Sequence, residues 1–122
     1  MNTIVSRRLL FVDDEPDFLE SMELLLGAHG YEVHSALDGP KALGLLQDGL
    51  RPEVVLLDYR MPGMDGAQTL AGIRALGIGA PAVLVSAVLD VERVAARHGF
   101  DAALPKPLSS DDLIGVMRRL LG

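Results

Sequence analysis

Five times along its length the chain alternates a short, nearly continuous apolar run with a segment whose apolar residues recur at helical spacing. The runs LLFV, YEVHSA, VVLL, AVLVSA and AALP place strands at about 9–13, 31–36, 54–58, 82–87 and 102–105, three of them apolar at almost every position. A strand that is apolar all round must be covered on both faces, which is the condition of a parallel sheet held between helices. The intervening segments supply those helices. Pro16 suits a first helical turn, and Phe18, Met22, Leu25 and Leu26 then form an apolar stripe that ends near Gly30. Ala42, Leu45 and Leu46 mark a second helix, Leu70, Ile73 and Leu76 a third, and Val91, Val94 and Ala95 a short fourth. The fifth opens on a serine cap and carries Leu113, Val116, Met117 and Leu120. Each crossover favours the right hand and each helix must cover the sheet, so the expected architecture is α/β with an open parallel sheet and helices on both faces. No internal repeat, low-complexity segment or linker interrupts the pattern. At 122 residues there is room for one hydrophobic core, and residues 1–122 are expected to form a single domain.

Composition removes several functions. There is no cysteine, which excludes disulfides, thiolate metal sites and a thiol nucleophile. The opening MNTIVSRRLL has no long apolar segment, and no run approaches a membrane span, so neither a leader nor a membrane helix is expected and a cytoplasmic location is. With 17 Asp plus Glu against 11 Lys plus Arg, the formal net charge is −6, the wrong sign for direct nucleic-acid binding through the phosphate backbone.

The acidic residues are not scattered at random. LLFVDDEPD runs an apolar strand straight into Asp13 and Asp14, and VVLLDYRMPGMDG runs another into Asp58. Ser86 closes the fourth strand and Lys106 the fifth. In an open parallel sheet the carboxyl ends of the strands share one edge, where ligands bind. Three carboxylates converging there would raise one another's pKa unless a cation neutralised them, and a hard divalent ion such as Mg²⁺ takes carboxylate and phosphate oxygens. Lys106 and the Ser86 hydroxyl add a point charge and a donor suited to phosphate oxygens. No glycine-rich phosphate cradle is present, so the phosphoryl group is expected on a side chain, and an aspartate accepts phosphoryl as an acyl phosphate.

The acidic pair in FVDDE, LLDYRMPGMDG around Asp58, VLVSA with Ser86 and LPKP with Lys106 resemble, in order and spacing, the receiver domain of two-component response regulators, similar to the chemotaxis response regulator. The likeness covers nearly the whole chain. It implies a flavodoxin-like, doubly wound (βα)5 fold in three α/β/α layers, with strand order 2-1-3-4-5. It also implies phosphorylation of Asp58 by a sensor histidine kinase or histidine phosphotransfer protein. Mg²⁺, with Mn²⁺ able to substitute, would be held by Asp13, Asp14, Asp58 and the backbone carbonyl of Arg60. Ser86 would move toward the phosphoryl group and Lys106 would pair with it. On this likeness the chain is a signalling domain that promotes its own phosphorylation and dephosphorylation, not an enzyme acting on other substrates. Its output would pass to an attached domain, a downstream protein or a phosphorylation-dependent homodimer. A further implication is a cis Lys106–Pro107 bond, a rare form.

Some positions depart from the pattern or have simpler explanations. Arg60 and Val88 flank the approach to Asp58 without a carboxylate or amide to orient water, which implies slow to moderate loss of the phosphoryl group. Ala103 stands where the family usually has tyrosine or phenylalanine, leaving Phe100 as the nearest aromatic. Asp14 alone would read as a helix cap, Ser86 as a satisfied hydroxyl and Lys106 as a solvated strand end. Asp65, Gly63 and Gly66 read as cap and turn formers, and His29 and His98 as helix-end residues. None of His29, His34 and His98 has a convincing partner for metal binding or phosphotransfer, and Arg118–Arg119 suits a helix C-terminus and a solvated face. Two other functions compete. A small-molecule phosphohydrolase would want a second acid where Arg60 stands and a cap domain for which there is no room. A docking module without phosphorylation is favoured by Ala103 and opposed by the intact Asp13, Asp14, Asp58 and Lys106 set.

Overall fold

A computed structural model describes residues 7–122. The first six residues, part of the opening stretch expected to lack a leader, lie outside the described residues. Ten elements alternate: β1 (Arg7–Val12), α1 (Pro16–Ala28), β2 (Tyr31–Ala36), α2 (Gly39–Gln47), β3 (Val54–Leu57), α3 (Gly66–Ala75), β4 (Ala82–Ser86), α4 (Val91–Arg97), β5 (Ala102–Pro105) and α5 (Ser110–Leu121). All strand pairs are parallel and the order is β2-β1-β3-β4-β5, a doubly wound sheet. No described helix is long and apolar enough to cross a membrane.

The alternation of side chains along each strand separates the core into two layers. Leu10 and Val12 of β1, Val55 and Leu57 of β3, and Leu84 of β4 pack with Ala42 and Leu46 of α2, Ile73 of α3 and Ala95 of α4. Leu9 and Phe11, Val54 and Leu56, and Val83 and Val85 point the other way, onto Leu19 and Leu26 of α1 and Leu113 and Met117 of α5. The nearly unbroken apolar strands are therefore buried on both faces, as their composition demands.

The strands differ from expectation at their ends. β1 begins at Arg7, ahead of its apolar run, because Arg7 and Arg8 pair with Tyr31 and Glu32 through backbone bonds that do not depend on side-chain polarity. Their side chains meet Glu53 and Glu32 in exposed ion pairs. Asp13, Asp58 and Ala87 fall just past their strands, although Asp13 N–H still donates to the Ala36 carbonyl at 3.1 Å and Asp58 N–H to that of Val12 at 2.9 Å.

The helix starts follow the sequence signals. Pro16 occupies the first turn of α1, and the Ser109 hydroxyl accepts from Asp112 N–H at 3.3 Å. Asp65 and Gln68 form a reciprocal capping box at α3, which settles Asp65 as a cap. Asp14 does not cap α1, whose N-cap is Glu15. His29 and His98 end α1 and α4 as expected.

One glycine has a tighter constraint than a turn. Gly63 does carry a positive φ of 80°. Gly66 instead lies directly against the backbone of the third strand's end: its N–H donates to the Tyr59 carbonyl at 2.7 Å, and a Cβ there would collide with the Asp58 carbonyl oxygen and stand 3.0 Å from Tyr59 Cα. Gly44, inside α2, has open space around it. Gly66→Ala is therefore expected to lower stability by about 1–3 kcal/mol through overpacking, whereas Gly44→Ala raises it by about 0.5–1 kcal/mol through helix propensity. Urea midpoints measure both, and a Gly66→Ala midpoint equal to that of the parent chain would contradict the close approach.

Candidate functional site

The ladder bonds that run past β1 and β3 hold Asp13 and Asp58 side by side at the carboxyl edge of the sheet. Ser86 ends β4, and Lys106 N–H donates to its carbonyl at 3.0 Å, which fixes the residue after β5 to the same edge. A cleft of about 370 Å³ opens there, lined by Asp14, Glu15, Asp58, Arg60, Ser86, Ala87, Val88, Leu89 and Lys106. Residues from four separate stretches of sequence thus meet in one place.

Lys106 links the acids. Its Nζ lies 2.6 Å from Asp13 Oδ2, 3.4 Å from Asp58 Oδ2 and 3.8 Å from Glu15 Oε1. Asp13 is wholly buried, and its other oxygen accepts from Glu15 N–H at 2.9 Å. Asp58 is buried beside the cleft, with Oδ1 accepting from Tyr59 N–H at 2.7 Å. Burial is the largest influence on the Asp13 carboxyl and pushes its pKa above the ordinary carboxylate value, against the bonds from Lys106 and Glu15 N–H. The charge on Asp58 adds the smallest push, so desolvation, more than the crowding of carboxylates, dominates at this position. Burial pulls the Lys106 ammonium down. Its bonds to Asp13 and Asp58 and their negative field outweigh that pull and hold its pKa above the ordinary lysine value.

Asp13, Asp14 and Asp58 each offer a carboxylate oxygen, all within 4.8 Å of one another. The donor set is hard oxygen throughout, without imidazole or thiolate, which fits Mg²⁺ or Mn²⁺ in preference to zinc or copper. Asp14 is exposed and faces the cleft; Arg60 lies at its rim. Ser86 is buried, with its Oγ accepting from Val88 N–H at 3.4 Å. The Lys106–Pro107 bond is cis.

Ala103 leaves a second, shallower cavity of about 350 Å³, where it is joined by Phe100, Val116 and Arg119 between α4 and α5. Phe100 is buried and shares this groove, so it is indeed the nearby aromatic. His34 meets Glu32 Oε2 at 2.8 Å on the exposed edge strand, away from the cleft. His98 stacks at a tilt on Tyr59, with ring centroids 5.8 Å apart. Helical periodicity assigns Phe18 to the apolar stripe of α1, yet it is only half-buried and its ring lies 4.3 Å below Lys106 Nζ. The signal that could have found it is its place in the first turn of α1, directly after the loop that carries Asp13 and Asp14.

Comparison with known proteins agrees with this geometry. Residues 9–118 match the family described as response regulator receiver domain. The response regulator MprA of Mycobacterium sp. (strain KMS) is 40% identical over 116 residues, which are 93% of this chain and 50% of that protein. The MprA of Mycobacterium tuberculosis (strain ATCC 25177 / H37Ra) is 38% identical over 119 residues, 96% of this chain and 51% of that one. The chain thus spans about half the length of the curated relatives it matches. Among solved structures, the chemotaxis protein CheY4 of Vibrio cholerae superimposes with a TM-score of 0.85 at 26% identity, over 95% of this chain and 99% of that one. The receiver domain of the Francisella response regulator 1452 gives 0.85 at 28% identity, over 94% and 96%. The sequence match runs from β1 into α5 and the fold agrees over the same span, so the chain belongs to the response regulator receiver domain family.

Proposed function

We propose that the chain is a phosphorylation switch in which Asp58 accepts a phosphoryl group from the phosphohistidine of a sensor histidine kinase or histidine phosphotransfer protein. The observation that carries this reading is the position of Asp58: buried, open to one cleft, with an ammonium 3.4 Å away and two further carboxylates close by. In the transfer an Asp58 carboxylate oxygen attacks phosphorus, the bond from phosphorus to the imidazole nitrogen breaks, and the electron pair leaves with that nitrogen. Lys106 turns part of its charge from Asp13 toward the phosphoryl oxygens, and the Ser86 hydroxyl donates to one of them. Asp13, Asp14, Asp58 and the Arg60 carbonyl would hold Mg²⁺, which when bound offsets negative charge on the phosphoryl oxygens. Family membership supports the kinase or phosphotransfer partner. The output is a changed affinity for an attached domain, a separate protein or a second copy. Residues 1–122 act as a single unit in this scheme.

Acetyl phosphate with Mg²⁺ should add one phosphoryl group to the purified chain by intact mass, and neither Asp58→Asn nor a chelated sample should gain it. If neither acetyl phosphate nor a histidine phosphodonor adds mass, the docking reading, which Ala103 favours, replaces this one.

Asp14 is exposed, so Asp14→Asn should leave the urea midpoint unchanged while weakening Mg²⁺ binding by roughly tenfold or more. A Mg²⁺ titration unaffected by that substitution would remove Asp14 from the ligand set.

Arg60 and Val88 both line the cleft. Arg60→Asn, which introduces an amide able to orient water, should quicken loss of the phosphoryl group by roughly threefold, about the effect of one modest hydrogen bond. Single-turnover decay that is the same in Arg60→Asn, Arg60→Ala and Val88→Ala as in the parent chain would show that the flank does not set the lifetime.

A further inference from the structure

The Lys106 ammonium is enclosed on two sides by different chemistry. Asp13 and Asp58 face it with carboxylate oxygens at 2.6 and 3.4 Å. The ring of Phe18 faces it from α1, with the centroid 4.3 Å from Nζ, inside the range in which the negative face of an aromatic ring attracts a cation. The lysine side chain is only 14% exposed, so water competes weakly with that attraction. Phe18 is itself fixed edge to face against Phe11, at 5.7 Å and 82°, and Phe11 is wholly buried in β1. The ring is thus tied to the strand that leads directly into Asp13.

From this geometry we propose that Phe18 is a positioning residue for Lys106, holding the ammonium over the acidic cluster while leaving it free to turn. A carboxylate in that place would bind the ammonium directionally and compete with an incoming phosphoryl group. A ring face attracts it without accepting a directional hydrogen bond, so the N–H groups remain available to Asp13, Asp58 and, after transfer, the phosphoryl oxygens. An aliphatic side chain of similar volume would fill the space but supply no such attraction. The catalytic consequence rests on Asp58 being the phosphoacceptor; the contact between ring and ammonium does not.

The chain has two lysines, and the exposed Lys41 gives an internal reference for the nuclear magnetic resonance of Lys106. The ε-methylene protons of Lys106, carried on the carbon bonded to Nζ, should resonate upfield of those of Lys41 because of the ring current. The displacement should vanish in Phe18→Leu and persist in Phe18→Tyr. Phosphorylation by acetyl phosphate should slow by roughly threefold to tenfold in Phe18→Leu, recover in Phe18→Tyr, and show no further loss when Phe18→Leu is added to Lys106→Ala. Coincident Lys106 and Lys41 resonances in the parent chain overturn the proposal without recourse to any variant. So does an unchanged rate in Phe18→Leu, or an equal loss in Phe18→Leu and Phe18→Tyr, which would assign the ring to packing alone. A parent chain that takes up no phosphoryl group overturns the phosphoacceptor reading and the catalytic consequence with it, while the resonance still decides the contact.

Discussion

The bond between Lys106 and the wholly buried Asp13 is the constraint on which the carboxyl edge of the sheet depends. A carboxylate removed from water loses its hydration, and here a backbone N–H and one ammonium replace it. The partners are 93 residues apart in sequence and meet only because β5 is laid down on the far side of β4 and β3 from β1. Removing Lys106 would leave the buried Asp13 carboxylate without its counter-charge, a loss of about 3–5 kcal/mol in comparable pairs, whereas without Asp13 the ammonium would still face Asp58 and Glu15. The electrostatics of the site and the order of the strands are therefore one problem, and the fold solves it by ending four strands at the same edge.

A switch also needs a part that yields. The sheet and its two core layers do not, since their residues are close-packed on both faces. The stretch after Ser86 is different. Leu89 is 93% exposed, Asp90 adopts a left-handed backbone with φ 57°, and α4 begins without a side-chain cap and runs only seven residues. Helices that short have little intrinsic stability. New bonds to Ser86 would act on this lightly restrained segment beside the cleft, without the ring that Ala103 lacks. The groove at Ala103, bordered by Phe100 and Val116, lies against the far side of the same helix.

Much of this was legible in the residues. Apolar runs gave the strands because burial on both faces leaves no other composition, and the acids at their ends were conspicuous because nothing in a parallel sheet requires them. Arg7 and Arg8 were hidden, since a ladder is made by the backbone and tolerates charged side chains at the sheet's rim. Gly66 looked like one more turn glycine; its actual constraint is a tertiary approach to Asp58, which local sequence does not encode. Phe18 was hidden by its own periodicity, because a helix stripe and a cation-facing ring are the same letter at the same spacing. The origin of the Asp13 shift was likewise beyond sequence, which reveals how many carboxylates are near but not how deeply each is buried.

The two edges of the sheet differ in how they handle charge. At the amino edge Arg7 meets Glu53, Arg8 meets Glu32 and Arg74 meets Asp101. At the carboxyl edge Asp13, Asp58 and Glu15 all lean on Lys106, and Asp14 stands beside them. A phosphoryl group on Asp58 would exchange one negative charge for about two near neutral pH. The deficit of positive charge therefore deepens on phosphorylation, and one ammonium already shared among three carboxylates does not cover it. A divalent cation in the cleft would reduce that deficit, so its binding and the phosphoryl group favour one another. By thermodynamic reciprocity each would raise the affinity for the other by the same factor. On that argument the surplus of acid at this edge would make a phosphorylated state depend on the ion, and Lys106 keeps the same cluster tolerable when neither is bound.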